Sequence, residues 1–294
     1  MNGGRRRAEG GEIPDSFSPP SALRPPPHPI RLIASDLDGT LLRSDRSVSD
    51  RTRAALAAAQ ERGIVVVLAT ARPPLTTRLF ADQAGITGHA ICSNGAILYD
   101  IARDELLGHQ TLDAAAARRL IVALRDAAPG VCFALVQGME FACEPNYAAI
   151  ARVEDHGRLL DEIRLGEALA LLASPTTKLV VRHPERLPPD LLTTIQGLGL
   201  DGFEATHSGA PFLEVVAAGV TKGWALAELC AMLGIDAAEV VAFGDAPNDA
   251  AMLRWAGHGV AVANAYSVAL EAADEVTHSN DEDGVAVIME RLLD

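Results

Sequence analysis

The sequence predicts an α/β protein: a doubly wound parallel sheet with a second, α+β unit inserted into it. Three observations predict this. Short runs of Val, Ile, Leu and Ala alternate with helical stretches at both ends of the chain, as strands buried on both faces do. Each run ends in polar residues, at Asp36-Leu37-Asp38, Thr70-Ala71-Arg72, Ser93-Asn94-Gly95 and Gly244-Asp245. Between these two α/β stretches, strand-like pieces follow one another closely, a sign of hairpins rather than crossovers.

Taken in order, residues 1–29 read as a disordered leader, rich in Pro, Gly, Ser and Arg. Pro25-Pro26-Pro27 and Pro29 fit neither a helix interior nor a central strand. Ile30–Ser35 is the first buried strand. Ser49 caps a helix that runs to about Arg62 and stops at Gly63. Ile64–Ala69 is the second strand, followed by a helix to Ala84 and Gly85. His89–Cys92 is the third. Residues 30–97 thus form the first half of the parallel core, and residues 98–216 the insert. Within the insert, strands are expected near Leu106–Thr111, Val131–Val136, Glu140–Cys143, Lys178–Arg182, Phe203–His207 and Phe212–Val216, with helices near Asp113–Ala127 and Pro189–Leu198. Residues 217–294 return to the core through helix Thr221–Leu233, strand Val240–Phe243, helix Ala246–Trp255, strands Gly259–Val262 and Glu275–Thr277, and helix Gly284–Leu293.

The charge balance excludes several functions. With 25 basic and 39 acidic residues the formal net charge is −14, which repels nucleic acid and anionic membrane surfaces. No apolar run reaches the ~20 residues a membrane helix needs, and no apolar segment follows Arg5-Arg6-Arg7 to make a secretory signal. A cytoplasmic protein is expected. Cys92, Cys132, Cys143 and Cys230 form no C-x-x-C pair and read as small buried hydrophobes. An anionic substrate therefore has to be drawn in locally, by a metal ion, a lysine or backbone amides.

In open parallel sheets ligands bind beyond the carboxyl ends of the strands. That rim should gather Asp36, Asp38, Thr70, Ser93, Asn94 and Asp245, with Asn248, Asp249 and Lys222 close by. Carboxylates crowded together favour a hard divalent cation, and oxygen-only ligands suit magnesium. Asp36 and Asp245 are the expected ligands, with the Asp38 carbonyl as a third and Asp249 acting directly or through water. Asp36 is placed to serve as a nucleophile toward phosphorus, and Asp38 as the acid and base. Thr70, the next amide and Lys222 are expected to hold phosphoryl oxygens.

Four segments make the chain similar to a known family. DLDGTLL at Asp36–Leu42, LATAR at Leu68–Arg72, Val220-Thr221-Lys222-Gly223 and GDAPNDAAML at Gly244–Leu253 resemble the four motifs of haloacid dehalogenase-like phosphatases. The long insert, Ser93-Asn94-Gly95-Ala96 and Leu213–Val216 resemble the Cof-type, type IIB cap branch. The resemblance covers residue 30 to the C-terminus. It implies a Rossmann-like core under a substrate-selecting cap. It also implies a nucleophile and metal ligand at Asp36 and a general acid/base at Asp38 whose carbonyl meets the metal. Leu37, Thr70, Ala71, Lys222 and Asn248 would contact phosphate, and Asp245 and Asp249 would complete a Mg2+ site. The second motif reads Thr-Ala-Arg where the branch usually has Thr-Gly-Arg. Ala71 keeps the N–H, and its contact should survive if its φ is negative.

The expected activity is hydrolysis of a small phosphorylated metabolite, a sugar phosphate by resemblance. Nucleotides and cofactor phosphates are the other substrate classes. Phosphotransfer in a mutase and a catalytically silent phosphate-binding protein are the alternative functions. No motif assigns an oligomeric state. His156, His183 and His207 read as surface or hydrogen-bonded histidines, Arg72 as a loop-ordering residue, Trp224 and Trp255 as packing, and Asp281-Glu282-Asp283 as a solvated loop.

Overall fold

The computed structural model describes residues 29–138, 140–151 and 163–294; residues 1–28 of the expected leader and His156 lie outside them. Fourteen strands among the described residues form two sheets. The first has the order β14-β13-β12-β1-β2-β3-β4-β5. It contains β1 (Leu32–Ser35), β2 (Val65–Ala69), β3 (His89–Cys92), β4 (Ile97–Asp100), β5 (Glu105–His109), β12 (Val240–Gly244), β13 (His258–Ala261) and β14 (Glu275–Val276). From β14 to β3 every pairing is parallel, and the β3–β4 and β4–β5 pairings are antiparallel. Helices cover both faces. Asp50–Glu61 and Gly284–Leu293 pack on one with Ile33, Leu68 and Phe243, while Lys222–Leu233 and Ala250–Trp255 pack on the other with Leu32, Val67 and Ala242. This is the doubly wound sheet the apolar runs predict.

The second sheet has the order β10-β11-β9-β6-β7-β8. It comprises β6 (Cys132–Gln137), β7 (Glu140–Cys143), β8 (Arg164–Leu165), β9 (Lys178–Arg182), β10 (Phe203–Thr206) and β11 (Leu213–Ala217). Its pairings are antiparallel except β7–β8. One face buries Phe133, Leu135, Leu179, Val181, Leu213 and Val215 under helices Ala114–Ala127 and Pro188–Gly197.

Two sequence expectations need correction. The insert does not begin at residue 98, because β4 and β5 continue the first sheet through His109. The cause is local. Ser93, Asn94 and Gly95 adopt φ of 50°, 60° and 102°, a left-handed run that turns the chain back on β3. β4 itself was not expected, since all four of its residues are buried and no polar alternation marks it. The segment 246–255 is also divided, into a 3-10 turn at Pro247–Asp249 and a helix at Ala250–Trp255.

Candidate active site

Strand register brings the site together. β1 lies between β12 and β2, with Ser35 opposite both Phe243 and Leu68. The residues just beyond these strands, Asp36, Asp245 and Thr70, therefore emerge side by side at the point where the winding reverses direction. The Asp36 N–H donates to the Phe243 carbonyl at 3.0 Å. Lys222 enters from the first turn of its helix, whose N-cap Thr221 accepts from the Trp224 N–H.

The Lys222 ammonium is fully buried and donates to Asp36 Oδ1 at 2.7 Å and Asp249 Oδ1 at 2.6 Å. Asp249 Oδ2 accepts from the Asp245 and Ala246 N–H groups at 3.0 and 2.9 Å. Both Asp249 oxygens are thus engaged in holding Lys222 and the turn. Asp245 Oδ1 accepts from the Thr40 hydroxyl at 2.8 Å. Asp36, Asp245 and Asp249 each offer a carboxylate oxygen, all within 4.8 Å of one another. Among the described residues this is the one acidic group with metal-site geometry, and Asp281-Glu282-Asp283 instead ties down a loop through Ser44, Arg43 and Ser279.

Three carboxylates around one ammonium leave an excess of buried negative charge. Burial raises the Asp36 carboxyl well above the usual range despite Lys222, with Asp249, Asp245 and Asp38 adding repulsion. Burial and then Asp249 push Asp245 up to about 7. Burial alone would depress Lys222, but Asp249 and Asp36 outweigh it and raise it. A group of acids that resists joint ionisation is a ready site for a divalent cation. The donor set here, all carboxylate oxygen, fits magnesium.

Gly39 permits this packing. Its φ is +82°, and a Cβ there would lie 2.6 Å from Asp245 Oδ2. Gly39→Ala is expected to cost about 1–2 kcal/mol in backbone strain. It should also displace the Asp245 carboxylate, lowering turnover by about 100-fold if the shift approaches 1 Å. Thermal melting and steady-state kinetics check the two effects separately.

Asp38 is held by Arg72, whose Nε and Nη2 donate to its two oxygens at 2.6 Å each. The guanidinium also sits 4.6 Å from the Phe80 ring centroid. Arg72 does order its loop, as expected, but the sequence did not reveal its bidentate grip on Asp38. Thr70 is buried and its Oγ1 accepts from the Arg72 N–H at 3.1 Å. Leu37 is fully buried and its carbonyl accepts from Leu42 at 2.8 Å. Ala71 does not adopt a positive φ, so the alanine brings no left-handed strain. Asn248 is directed to Asn94, Nδ2 to Oδ1 at 2.9 Å. Ser93 Oγ, Asn94 Nδ2 and Asn248 Oδ1 are buried without a hydrogen-bond partner among the described residues.

A cavity of about 380 Å³ opens between this rim and the second sheet. Asp38, Asp245, Ala71 and Arg72 form one wall, with Val136, Phe141, Lys178, Phe212 and Glu214 opposite. Lys178 and Glu214 were not singled out from sequence. The available signal was a buried charge in each of two otherwise apolar strands, Lys178 at the start of KLVVR and Glu214 within LEVVA. Of the remaining candidates, His207 borders the cavity through Tyr266, and the others serve packing or loop contacts. His183 bonds the Pro129 carbonyl and accepts from the Glu185 and Arg186 N–H groups. His207 packs edge-on against Tyr266 at 5.8 Å. Trp224 and Trp255 pack on the core. The four cysteines are buried and free, and burial pushes the Cys92 and Cys132 thiols up to about 12.

A family model for haloacid dehalogenase-like hydrolases matches residues 33–289. The chain belongs to this family. A putative phosphatase of Bacillus subtilis, YxeH, is 30% identical over 90% of this chain and 98% of its own length. The HMP-PP phosphatase of Serratia proteamaculans is 33% identical over 80% of this chain and 84% of its own. A third relative, the 5-amino-6-(5-phospho-D-ribitylamino)uracil phosphatase YcsE of B. subtilis, is 31% identical over 87% and 93%. Among solved structures, a haloacid dehalogenase-like hydrolase from B. subtilis superposes with a TM-score of 0.76 at 27% identity, covering 90% of this chain and all of that one. The subclass IIB sugar phosphatase BT4131, at 22% identity, shares the fold with a TM-score of 0.74. This haloacid dehalogenase-like chain is a phosphatase of the Cof type. No helix among its described residues is long and apolar enough to cross a membrane.

Proposed function

We propose that this phosphatase hydrolyses a small phosphate monoester with magnesium, through an aspartyl-phosphate on Asp36. The observation that carries the reading is the meeting of Asp36, Asp245 and Asp249 around one buried lysine at the strand ends. Asp36 and Asp245 would hold Mg2+, with the Asp38 carbonyl beside them; when bound, the ion neutralises charge on the phosphoryl oxygens. Asp249 acts by holding Lys222 and the turn of Asp245.

In the first step an Asp36 carboxylate oxygen attacks phosphorus. The bond to the ester oxygen breaks, and that oxygen leaves as an alcohol with a proton from Asp38. In the second step Asp38 takes a proton from water, which attacks the aspartyl-phosphate, releasing inorganic phosphate and regenerating Asp36. Thr70, the amides of Leu37 and Ala71, and Lys222 bind the phosphoryl oxygens, with Asn248 completing the rim. Arg72 holds Asp38 at the cavity wall, and one of its two hydrogen bonds to the carboxylate has to open for Asp38 to carry the proton.

The cavity suits a metabolite-sized leaving group, and residues of the second sheet that line it would select among substrates as a cap. A sugar phosphate remains the first class to test. Support comes from the relative named for a phosphate on a ribityl chain, and the relative named an HMP-PP phosphatase widens the panel. Purified protein with magnesium should release inorganic phosphate from one or more such esters. A phosphoryl group recovered on a second alcohol would favour transfer over hydrolysis, and no reaction with any ester would reject the reading.

Metal removal should silence the enzyme reversibly. Binding should also raise Tm, and the rise should depend on pH. Asp245, with its carboxyl near 7 in the fold, binds a proton that its unfolded form releases near 3.8. A raised carboxyl contributes stability at low pH, and this is lost as pH climbs from about 4 to about 7. Magnesium competes for the ionised form, so the magnesium-induced rise in Tm should be small at pH 5 and larger at pH 7.5. Calorimetry at the two pH values checks it; an equal rise at both would count against Asp245 as a ligand.

A further inference from the structure

β9 crosses the middle of the second sheet, and its side chains alternate. Leu179 and Val181 face the helices, whereas Lys178 and Val180 line the cavity. Val180 pairs with Glu214 on β11, which makes Glu214 the diagonal neighbour of Lys178 on the same face, within reach of a long side chain. The Lys178 ammonium donates to Glu214 Oε1, and the Ser208 hydroxyl donates to Glu214 Oε2 at 3.0 Å. Both charged residues are buried, 4% and 1% exposed. An apolar pair often serves a fold as well as a buried ion pair does, so stability alone does not account for this one.

The second contact of Lys178 supplies an account. Its Nζ reaches across the cavity to donate to the Ala71 carbonyl at 2.8 Å. That carbonyl is one end of the Ala71–Arg72 peptide; the other end, the Arg72 N–H, donates to Thr70 Oγ1. The Arg72 side chain in turn holds both Asp38 oxygens. One peptide unit is therefore tied to the second sheet, to Thr70 and to Asp38.

We propose that Lys178 is a positioning residue for phosphoryl transfer: from the second sheet, it fixes the Ala71–Arg72 peptide and, through it, the Thr70 hydroxyl and the Arg72–Asp38 pair. The proposal rests on the aspartyl-phosphate reading above. A charged donor on the carbonyl polarises the peptide and strengthens its N–H as a donor. Thr70 Oγ1, accepting from that N–H, keeps its own proton for a phosphoryl oxygen. Lys178 is satisfied by Glu214 and Ala71, so its role requires no contact with substrate. The second sheet thereby completes the rim that it covers.

Lys178→Met alone would strand the Glu214 charge, so the test is the double variant Lys178→Met/Glu214→Leu, an apolar pair of similar length. It is assayed with magnesium on the best ester of the panel, alongside its Tm. The expected result is a kcat lower by about 10- to 100-fold, with KM within about twofold. Lys178→Arg, which keeps a cation beside Glu214 but moves the donor, should fall between the double variant and the natural protein in kcat, again with KM held. Unchanged kcat in the double variant overturns the proposal, whether or not Tm falls. A raised KM with unchanged kcat also overturns it, since Lys178 would then be binding substrate. Asp36→Asn run in parallel separates the two levels: full turnover there removes the aspartyl-phosphate reading and this proposal with it, whereas loss there with a fully active double variant removes only the proposal.

Discussion

Asp36→Asn is expected to lower kcat by about 10⁴- to 10⁶-fold, the scale seen when an enzyme loses its nucleophile. The amide is nearly isosteric and can still accept from the Lys222 ammonium, now 2.7 Å from Asp36 Oδ1, so the fold should survive. The variant also removes one of three mutually repelling acids from a buried cluster. Its metal-free Tm should therefore equal or exceed that of the natural protein while its activity vanishes. That combination distinguishes a missing nucleophile from a damaged fold. Acid quenching of the natural enzyme in mid-turnover, followed by mass measurement, should find a phosphoryl group on the peptide that contains Asp36 and none in the variant. Measurable turnover by Asp36→Asn at more than a thousandth of the natural rate would exclude the covalent route.

Lys222→Met should damage both stability and chemistry. The ammonium is the shared partner of Asp36 and Asp249, and its side chain has no exposure to water. Its removal strands buried carboxylates, a change that typically costs about 3–5 kcal/mol. Activity should fall by about 10²- to 10³-fold, as when a positioned charge donor is removed from a transition state. The stability loss should be partly recovered by magnesium, because a divalent ion supplies to Asp36 and Asp245 the charge the lysine withdrew. Denaturant titrations with and without magnesium measure the recovery. A Tm within 1 °C of the natural protein in chelator would show that the cluster does not need its internal cation.

Much of this candidate site could be read along the chain because its residues sit at strand ends. A buried parallel strand is a visible apolar run, so the polar residue after it is visible too, and Asp36, Thr70 and Asp245 could each be placed without knowing how the strands pair. Lys222 was found through its own local segment. Contacts set by tertiary packing were hidden. Nothing local says that Arg72 turns back to Asp38, or that both oxygens of Asp249 are taken up by Lys222 and by two amides. Lys178 and Glu214 face each other only because β9 and β11 pair in one register. The boundary at residue 97 was misplaced for a related reason. A hairpin at the edge of one sheet looks in sequence like a hairpin in the next, and only its hydrogen-bond partners decide which sheet it joins.

The position of β1 between β2 and β12 has a consequence for how the enzyme comes into being. Asp36 and Lys222 are 186 residues apart in the chain, and β12 comes later still. A growing polypeptide can lay β2 against β1 early, yet Asp36 meets neither Lys222 nor Asp245 until the last quarter of the chain has left the ribosome and docked on the other side. The closure cost of the intervening segment rises by only about 0.6 kcal/mol for each doubling of its length. That segment can therefore lengthen, shorten or be exchanged at little closure cost, while the strand ends that gather Asp36 and Asp245 beside Lys222 are assembled the same way each time.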